Sequence, residues 1–509
     1  DDGLSSPLGQ LCRIERRVYQ TADPQPMPEN LPSDAVNILL VTARPFARDV
    51  RYRSISRPLV ELIETRDLPA HVHVLRPPTF GRLCEHLRER PNFYHILHFD
   101  GHGSYGADPH SAVSLYALTA QGQLVFEKPD GDPDPVPAEK LAPLLREFRI
   151  PAVVLNACQS GMIDGRAKNP FAGVAAALLQ AGIRSVVAMA YSLYVSAAQE
   201  FLPAFYRRLF EAGNVAEAVR AGRQRMFHQD GRVCARGRFP LRDWLVPVLY
   251  QQQPHDFSFA AAAKKEKAKP AALPEEAADR ENPYGFVGRD GAVLELERAL
   301  RRPRPAILVH GLGGVGKTTL ARGFVHWLSQ TQGLGNGCLW ISFVEVRSAD
   351  YVINRMGEPI FGPNFAAHPI ETRIDALAKA LHEHPLLVVW DNFEVAKGIP
   401  AAGIPANLSD DDRDHLLALL KKLHGGQTKI LITSRSEETW LGETRCPVSL
   451  SGLDGEERWE YCQAILDQLG KKVDREDMDQ VELMALLDGH PLAMRVIVPK
   501  LAEMPAKAI

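Results

Sequence analysis

GLGGVGKTT, residues 311–319, lies between an apolar run, Ala306–His310, and a helical pattern, Leu320–Leu328. It fits G-x-x-x-x-G-K-[ST] at Gly311, Gly316, Lys317 and Thr318, in the strand-then-helix setting that the pattern requires. Glycines let the backbone turn several N–H groups toward phosphate oxygens. Lys317 supplies a point charge at the β- and γ-phosphates, and Thr318 a hydroxyl for Mg²⁺. Gly313, Gly314, Val315 and Thr319 complete the loop, so this half of the chain is expected to bind a nucleotide. Leu386–Asp391 (LLVVWD) is an apolar strand ending in a carboxylate, and Asp391 there can hold a Mg²⁺ water. Further strands are expected at Cys338–Phe343 and Thr428–Thr433, with a helix at Ala292–Leu300.

A chain of 509 residues suggests two to four domains, each able to bury a core. The net charge of −3 exerts no global pull toward nucleic acid, and no basic recognition helix is evident. Membrane association is not expected either, since no apolar run reaches the ~18 residues of a span. Seven scattered cysteines do not read as a disulfide framework, which favours a reduced, cytoplasmic protein. The chain opens Asp1-Asp2 without Met, as a piece of a longer protein would. Gln251–Asp279 is rich in Ala, Lys and Pro and reads as an exposed tether, with its Lys264–Lys269 cluster solvated.

Ahead of that tether, strands are expected at Val36–Val41, His71–Leu75, Phe93–Phe99, Ala152–Leu155 and Ser185–Ala190. Helical patterns alternate with them at Ser54–Thr65, Phe80–Glu89, Ala138–Phe148 and Phe171–Gln180. The fold class is therefore α/β, with a mostly parallel sheet covered on both faces and function gathered at the strand ends. One strand end leads into Asp100-Gly101-His102-Gly103, another into Ala157-Cys158-Gln159-Ser160-Gly161. An imidazole beside a thiol can take its proton or hold it as a thiolate, giving a nucleophile near neutral pH. The N–H groups of Gly103 and Cys158 can form an oxyanion hole. A separation of about 55 residues, His first, suits a caspase-type dyad. His95, His98 and His102 also form an H-x-x-H-x-x-x-H run. On a strand His95 and His98 point to opposite faces, which disfavours zinc.

HFDGHG at 98–103, NACQSG at 156–161 and DWLVPVLY at 243–250 resemble the CHAT group of caspase-fold peptidases, over about residues 35–252. The resemblance implies His102 as general base, Cys158 as nucleophile, Gly103 and Cys158 as oxyanion donors, and no third carboxylate. Metacaspase-like relatives carry an acidic residue two before the catalytic Cys to bind a basic P1 side chain. Here that position is Asn156, with Asp100 and Asp164 as substitutes or loop caps.

In the second half, FVGR at 286–289, KILITSR at 429–435, LSGLDGEERWEY at 450–461 and GHPLA at 489–493 resemble the STAND class of P-loop NTPases, close to NB-ARC and NACHT switches. By that resemblance Val287, Gly288 and Arg289 lie beside adenine, Arg435 reads the γ-phosphate, and Pro491 packs over the nucleotide. Asn392 follows Asp391 where many relatives carry a second acid; Glu394 is the candidate replacement, and hydrolysis is expected to be slow. The resemblance implies a winged-helix domain and sensor repeats, expected either beyond Ile509 in a longer protein or in a separate sensing partner. The expected organisation is an extension at 1–34, a caspase-like α/β/α domain at 35–252, a linker at 253–281, a P-loop NTPase α/β domain at 282–442 and a helical domain at 443–509. The expected function is a cysteine endopeptidase acting on a protein substrate in bacterial defence or cell death. It would be governed by an ATP/ADP-dependent, Mg²⁺-assisted homo-oligomerisation switch answering to a trigger ligand. The alternative is a signalling ATPase with an inactive caspase-like adaptor. A scaffold or transcriptional regulator is the third reading.

Overall fold

The computed structural model describes residues 7–18, 22–29, 31–46, 49–66, 68–106, 121–157, 170–190, 193–234, 237–254, 256–257, 273–278 and 283–509. Two compact units divide the chain, Asp1–Lys267 and Ala268–Ile509. No helix among the described residues is long and apolar enough to cross a membrane.

In the first unit the strands are β1 (Glu15–Arg16), β2 (Val36–Thr42), β3 (Ala70–Val74), β4 (Ile96–Gly106), β5 (Gln121–Glu127), β6 (Pro133–Pro137), β7 (Ala152–Ala157), β8 (Ser185–Met189), β9 (Gly231–Cys234), β10 (Gly237–Pro240) and β11 (Pro247–Gln251). The main sheet runs β1-β11-β8-β7-β4-β2-β3. Its centre, from β3 to β8, is parallel, while β11 is antiparallel to β8. Every residue of β2 and β8 is buried, as befits parallel strands covered on both faces. The four expected helices form at Ser56–Thr65, Phe80–Glu89, Ala138–Glu147 and Pro170–Gln180.

One expectation needs correcting. The strand expected to stop at Phe99 runs on to Gly106. Its first part is held between β2 and β7, and from His102 onward it pairs antiparallel with β5, which the β5–β6 hairpin supplies. His102 thus lies on a paired strand and not beyond its end. The tether is also anchored at both ends. Phe257 is buried and its N–H donates to the Gly213 carbonyl, 2.8 Å. Ala277 is buried, and Arg322 Nε donates to the Glu276 carbonyl, 2.9 Å. The Lys264–Lys269 cluster lies outside the described residues.

The second unit contains β12 (Ala306–His310), β13 (Cys338–Ser342), β14 (Leu387–Asp391), β15 (Lys429–Ser434) and β16 (Arg445–Ser449) in the order β13-β14-β15-β12-β16, all parallel. This order puts β15 between the strand feeding the glycine loop and the strand ending in Asp391. Helices Gly455–Asp467, Met478–Leu486 and Pro491–Ile497 build a small separate core around Tyr461, Cys462, Ile465, Met484 and Met494.

At the carboxyl edge of the first sheet, Arg44 is fully buried and its Nη2 donates to Asp100 Oδ2 at 2.6 Å. Its Nη1 donates to the Ala43 and Asp100 carbonyls and its Nε to the Val50 carbonyl. Asn156 Nδ2 donates to Asp100 Oδ1 at 3.1 Å, tying β7 to β4. Burial pushes the Asp100 carboxyl upward, opposed by the Arg44 guanidinium. Removing one partner of a buried pair strands the other charge. Asp100→Ala is therefore expected to cost about 3–5 kcal/mol of unfolding free energy by denaturant titration, and Asp100→Asn clearly less.

Candidate functional site

Two sites emerge, one in each unit. In the second, β12 ends at His310 and the loop 311–316 turns into the helix Lys317–Gln330. Gly316 caps that helix at φ +96°, a conformation that glycine adopts at little cost. Lys317 Nζ donates to the Gly311 and Leu312 carbonyls, both at 2.9 Å, so the ammonium is parked on its own loop. Burial draws it below the usual lysine range, against the pull of Glu394 and Asp391. Asp391 Oδ1 accepts from Thr318 Oγ1 at 2.8 Å and from Thr433 Oγ1 at 2.5 Å. The Thr318 hydroxyl and the Asp391 carboxylate are hard oxygen donors side by side, the set that Mg²⁺ prefers.

Beyond Asp391 the chain turns sharply. Asn392 sits in the left-handed region at φ +57°, which Asn tolerates better than most residues. That turn brings Glu394, also buried, to face the loop. Arg435 Nε is 3.0 Å from Glu394 Oε1, while Glu394 Oε2 has no hydrogen-bond partner among the described residues. The cavity above is lined by Val287, Arg289, Gly313, Gly314, Val315, Gly316, Lys317, Thr318, Thr319, Arg435 and Pro491 from the sequence reading. Gly288, Gly311 and Asp391 are absent from that lining; Asp391 stands behind the Thr318 hydroxyl. Phe286, from the FVGR segment, also lines it, as do Leu453, Tyr461 and Arg495, which were not singled out. Arg495 lies one helical turn after Pro491, a spacing that could have found it.

Arg289 has a structural partner set as well. Its guanidinium is spent on protein carbonyls, with Nη2 donating to Val315 at 2.6 Å and Nη1 to Ser451 at 2.7 Å. It therefore clamps the loop to the segment entering the helical region. The helical region grips the loop from its other side. His490 Nδ1 accepts from Ala493 N, which leaves the ring proton on Nε2 to donate to the Gly313 carbonyl at 3.0 Å. Leu492 N donates to the Gly314 carbonyl at 3.3 Å.

In the first unit, His102 Nε2 is 2.8 Å from Asp49 Oδ1, and the Phe46 ring meets the imidazole edge-on at 4.9 Å between centroids. Gly103 lies opposite Leu124 in the β4–β5 ladder. Cys158 and Asp164 lie outside the described residues. Asp100 and Asn156, considered for specificity, are committed to Arg44 and to each other, so neither is available to a substrate side chain. The other two histidines are occupied. His95 Nδ1 accepts from Asn37 N and its Nε2 donates to the Pro32 carbonyl, and burial lowers it to about 4. His98 is bonded to the Tyr206 hydroxyl, and burial lowers it to about 3. No cluster that could hold a metal occurs among the described residues.

The turn at Gly489 offers a stability test. It has φ +61°, and a Cβ there would sit 1.9 Å from the Leu453 carbonyl oxygen. Gly470, at φ +66°, has open space around it. Gly470→Ala is expected to cost about 1 kcal/mol, and Gly489→Ala a further ~1–3 kcal/mol, by calorimetry of the second unit. Equal losses would show that close approach at the turn is unimportant.

Comparison with known proteins finds partial similarities. A disease susceptibility protein and an inactive disease susceptibility protein of Arabidopsis thaliana are each 28% identical over 207 residues, 38% of this chain and 20% of theirs. The chain thus spans about a fifth of the length of these relatives. Among solved structures, a STAND protein with a tetratricopeptide repeat sensor from Pyrococcus horikoshii is 17% identical at TM-score 0.31, over 45% of this chain and 31% of that one. Domain III of the replication initiation protein DnaA from Thermotoga maritima is 17% identical at TM-score 0.29, over 45% of this chain and 89% of that one. The family model for the CHAT domain matches residues 10–283, more than half of the sequence. This chain belongs to the CHAT domain family.

Proposed function

We propose that the first unit is a cysteine endopeptidase and the second an ATP/ADP switch that governs it. The observation supporting the peptidase is the register of β4 and β7, in which Gly101 lies opposite Ala157. These are the residues immediately before His102 and Cys158. In the reaction, His102 takes the Cys158 thiol proton and the thiolate adds to the scissile carbonyl carbon. The resulting oxyanion is met by the N–H groups of Gly103 and Cys158. The C–N bond then breaks as His102 returns the proton to the amine. Water, deprotonated by His102, hydrolyses the thioester and restores the thiol. With Asp100 and Asn156 engaged in the core, a basic P1 preference is not inherited through them.

The switch rests on groups held by replaceable partners. When a nucleotide enters, Lys317 exchanges the Gly311 and Leu312 carbonyls for phosphate oxygens. The γ-phosphate draws Arg435 from Glu394, and the freed carboxylate takes a proton from the water attacking that phosphate. Mg²⁺, held by Thr318 and through Asp391, would neutralise charge on the phosphates. The P–O bond to ADP breaks, and Arg435 returns to Glu394. His490 and Leu492 report the state of the loop to the helical region. Oligomerisation in the ATP state would bring tethered peptidase units together at raised effective concentration. A response to a trigger, as in defence signalling, accords with the disease susceptibility relatives.

The test is cleavage of a diverse peptide library with ATP, ADP or no nucleotide. Cleavage is expected with ATP, lost in Cys158→Ala and no longer nucleotide-dependent in Lys317→Ala. Silence in every condition with ATP binding intact would favour the inactive adaptor. Glu394→Gln is expected to slow phosphate release at least about 100-fold while leaving ATP bound, as measured by a fluorescent nucleotide. An unchanged rate would remove Glu394 from the chemistry.

A further inference from the structure

We infer that Asp49 is a positioning residue for His102, a third member of the site that a two-residue dyad leaves out; the inference rests on the peptidase reading. The Asp49 side chain is 4% exposed and that of His102 15%, so the contact is shielded from water. A carboxylate only accepts, so Asp49 Oδ1 at 2.8 Å fixes the ring proton on Nε2 and leaves the Nδ1 lone pair to receive the thiol proton. Asp49 is itself held in place. Its Oδ1 accepts from Val50 N at 2.7 Å and its Oδ2 from Phe46 N at 3.4 Å. The Phe46 ring restrains the imidazole at the same time.

The charge on Asp49 is left for the histidine by the way Arg44 is shared. Arg44 Nη2 lies 2.6 Å from Asp100, whereas its nearest approach to Asp49 is 3.9 Å. Asp100 thus takes the guanidinium, and Asp49 faces the imidazole. Once Nδ1 has accepted the thiol proton, the Nε2–H to carboxylate bond stabilises the positive ring in its reacting orientation. No group other than the thiol loses a proton in this step.

The experiment combines kinetics with proton NMR on the whole chain. The unsubstituted protein is expected to show a slowly exchanging, downfield His102 Nε2 proton that is lost in Asp49→Ala. Asp49→Asn can keep its oxygen in place and lose only the charge. It should lower kcat about tenfold, and Asp49→Ala about 100-fold or more, with KM changed less than about twofold. A purely structural role would lower the folded fraction and leave kcat of the folded remainder unchanged. The inference is overturned if the proton is absent from the unsubstituted protein, or if kcat in Asp49→Ala stays within about twofold. Either result leaves the peptidase reading standing. Absence of cleavage by the unsubstituted protein in every nucleotide condition, with the Nε2 proton present, overturns the peptidase reading and the role of Asp49 with it.

Discussion

The ion pair between Arg435 and Glu394 is the contact on which the proposed switch of the second unit depends. Glu394 is buried at 6% side-chain exposure, whereas Arg435 is half exposed at 49%. The arginine side is open to solvent, so an incoming phosphate can reach the guanidinium, but parting the pair leaves the Glu394 carboxylate buried without its cation. Charge-assisted, bidentate contacts between a guanidinium and phosphate are stronger than such a pair. In the proposed switch a nucleotide shifts the balance between the two arrangements only by its differential affinity for them. The position of β15 makes this geometry available, since it places Arg435 beside both the glycine loop and the end of β14.

A second constraint is the division of labour between two acids in the first unit. Asp100 and Asp49 both approach Arg44, but only Asp100 is tightly paired with it. Asp100 serves the core, anchoring β4 to β7 through Asn156. Asp49 is left to the His102 ring. A single arginine thus pairs closely with one carboxylate and leaves the other beside the imidazole.

Much of this architecture was legible in the sequence where local pattern dominates. Ala306–His310 is a strand with the bounds expected of it, and β2, β7, β8 and β14 fall within a residue or two of the apolar runs that announce them. The β5–β6 hairpin was not legible. PDPVP carries alternating prolines, which disfavour a strand and are tolerated here because, among the described residues, β6 pairs with β5 at the sheet edge. The long helix Val195–Ala212 contains Pro203, which obscures its period. The partners of the functional groups were hidden for another reason. Asp49 meets His102 across 53 residues, and Arg289 meets Ser451 across 162, distances at which no local spacing carries a signal. Glu394 was visible as a candidate, but the left-handed turn at Asn392 that aims it at the loop was not.

The central claim is that nucleotide state sets the reactivity of the cysteine. It is tested most directly by the rate at which a thiol-directed peptide probe labels Cys158 in protein saturated with ATP or with ADP, the modified residue being identified by mass spectrometry. The account predicts labelling at least about tenfold faster with ATP, in the range of ordinary allosteric coupling. Equal rates with both nucleotides bound would contradict it.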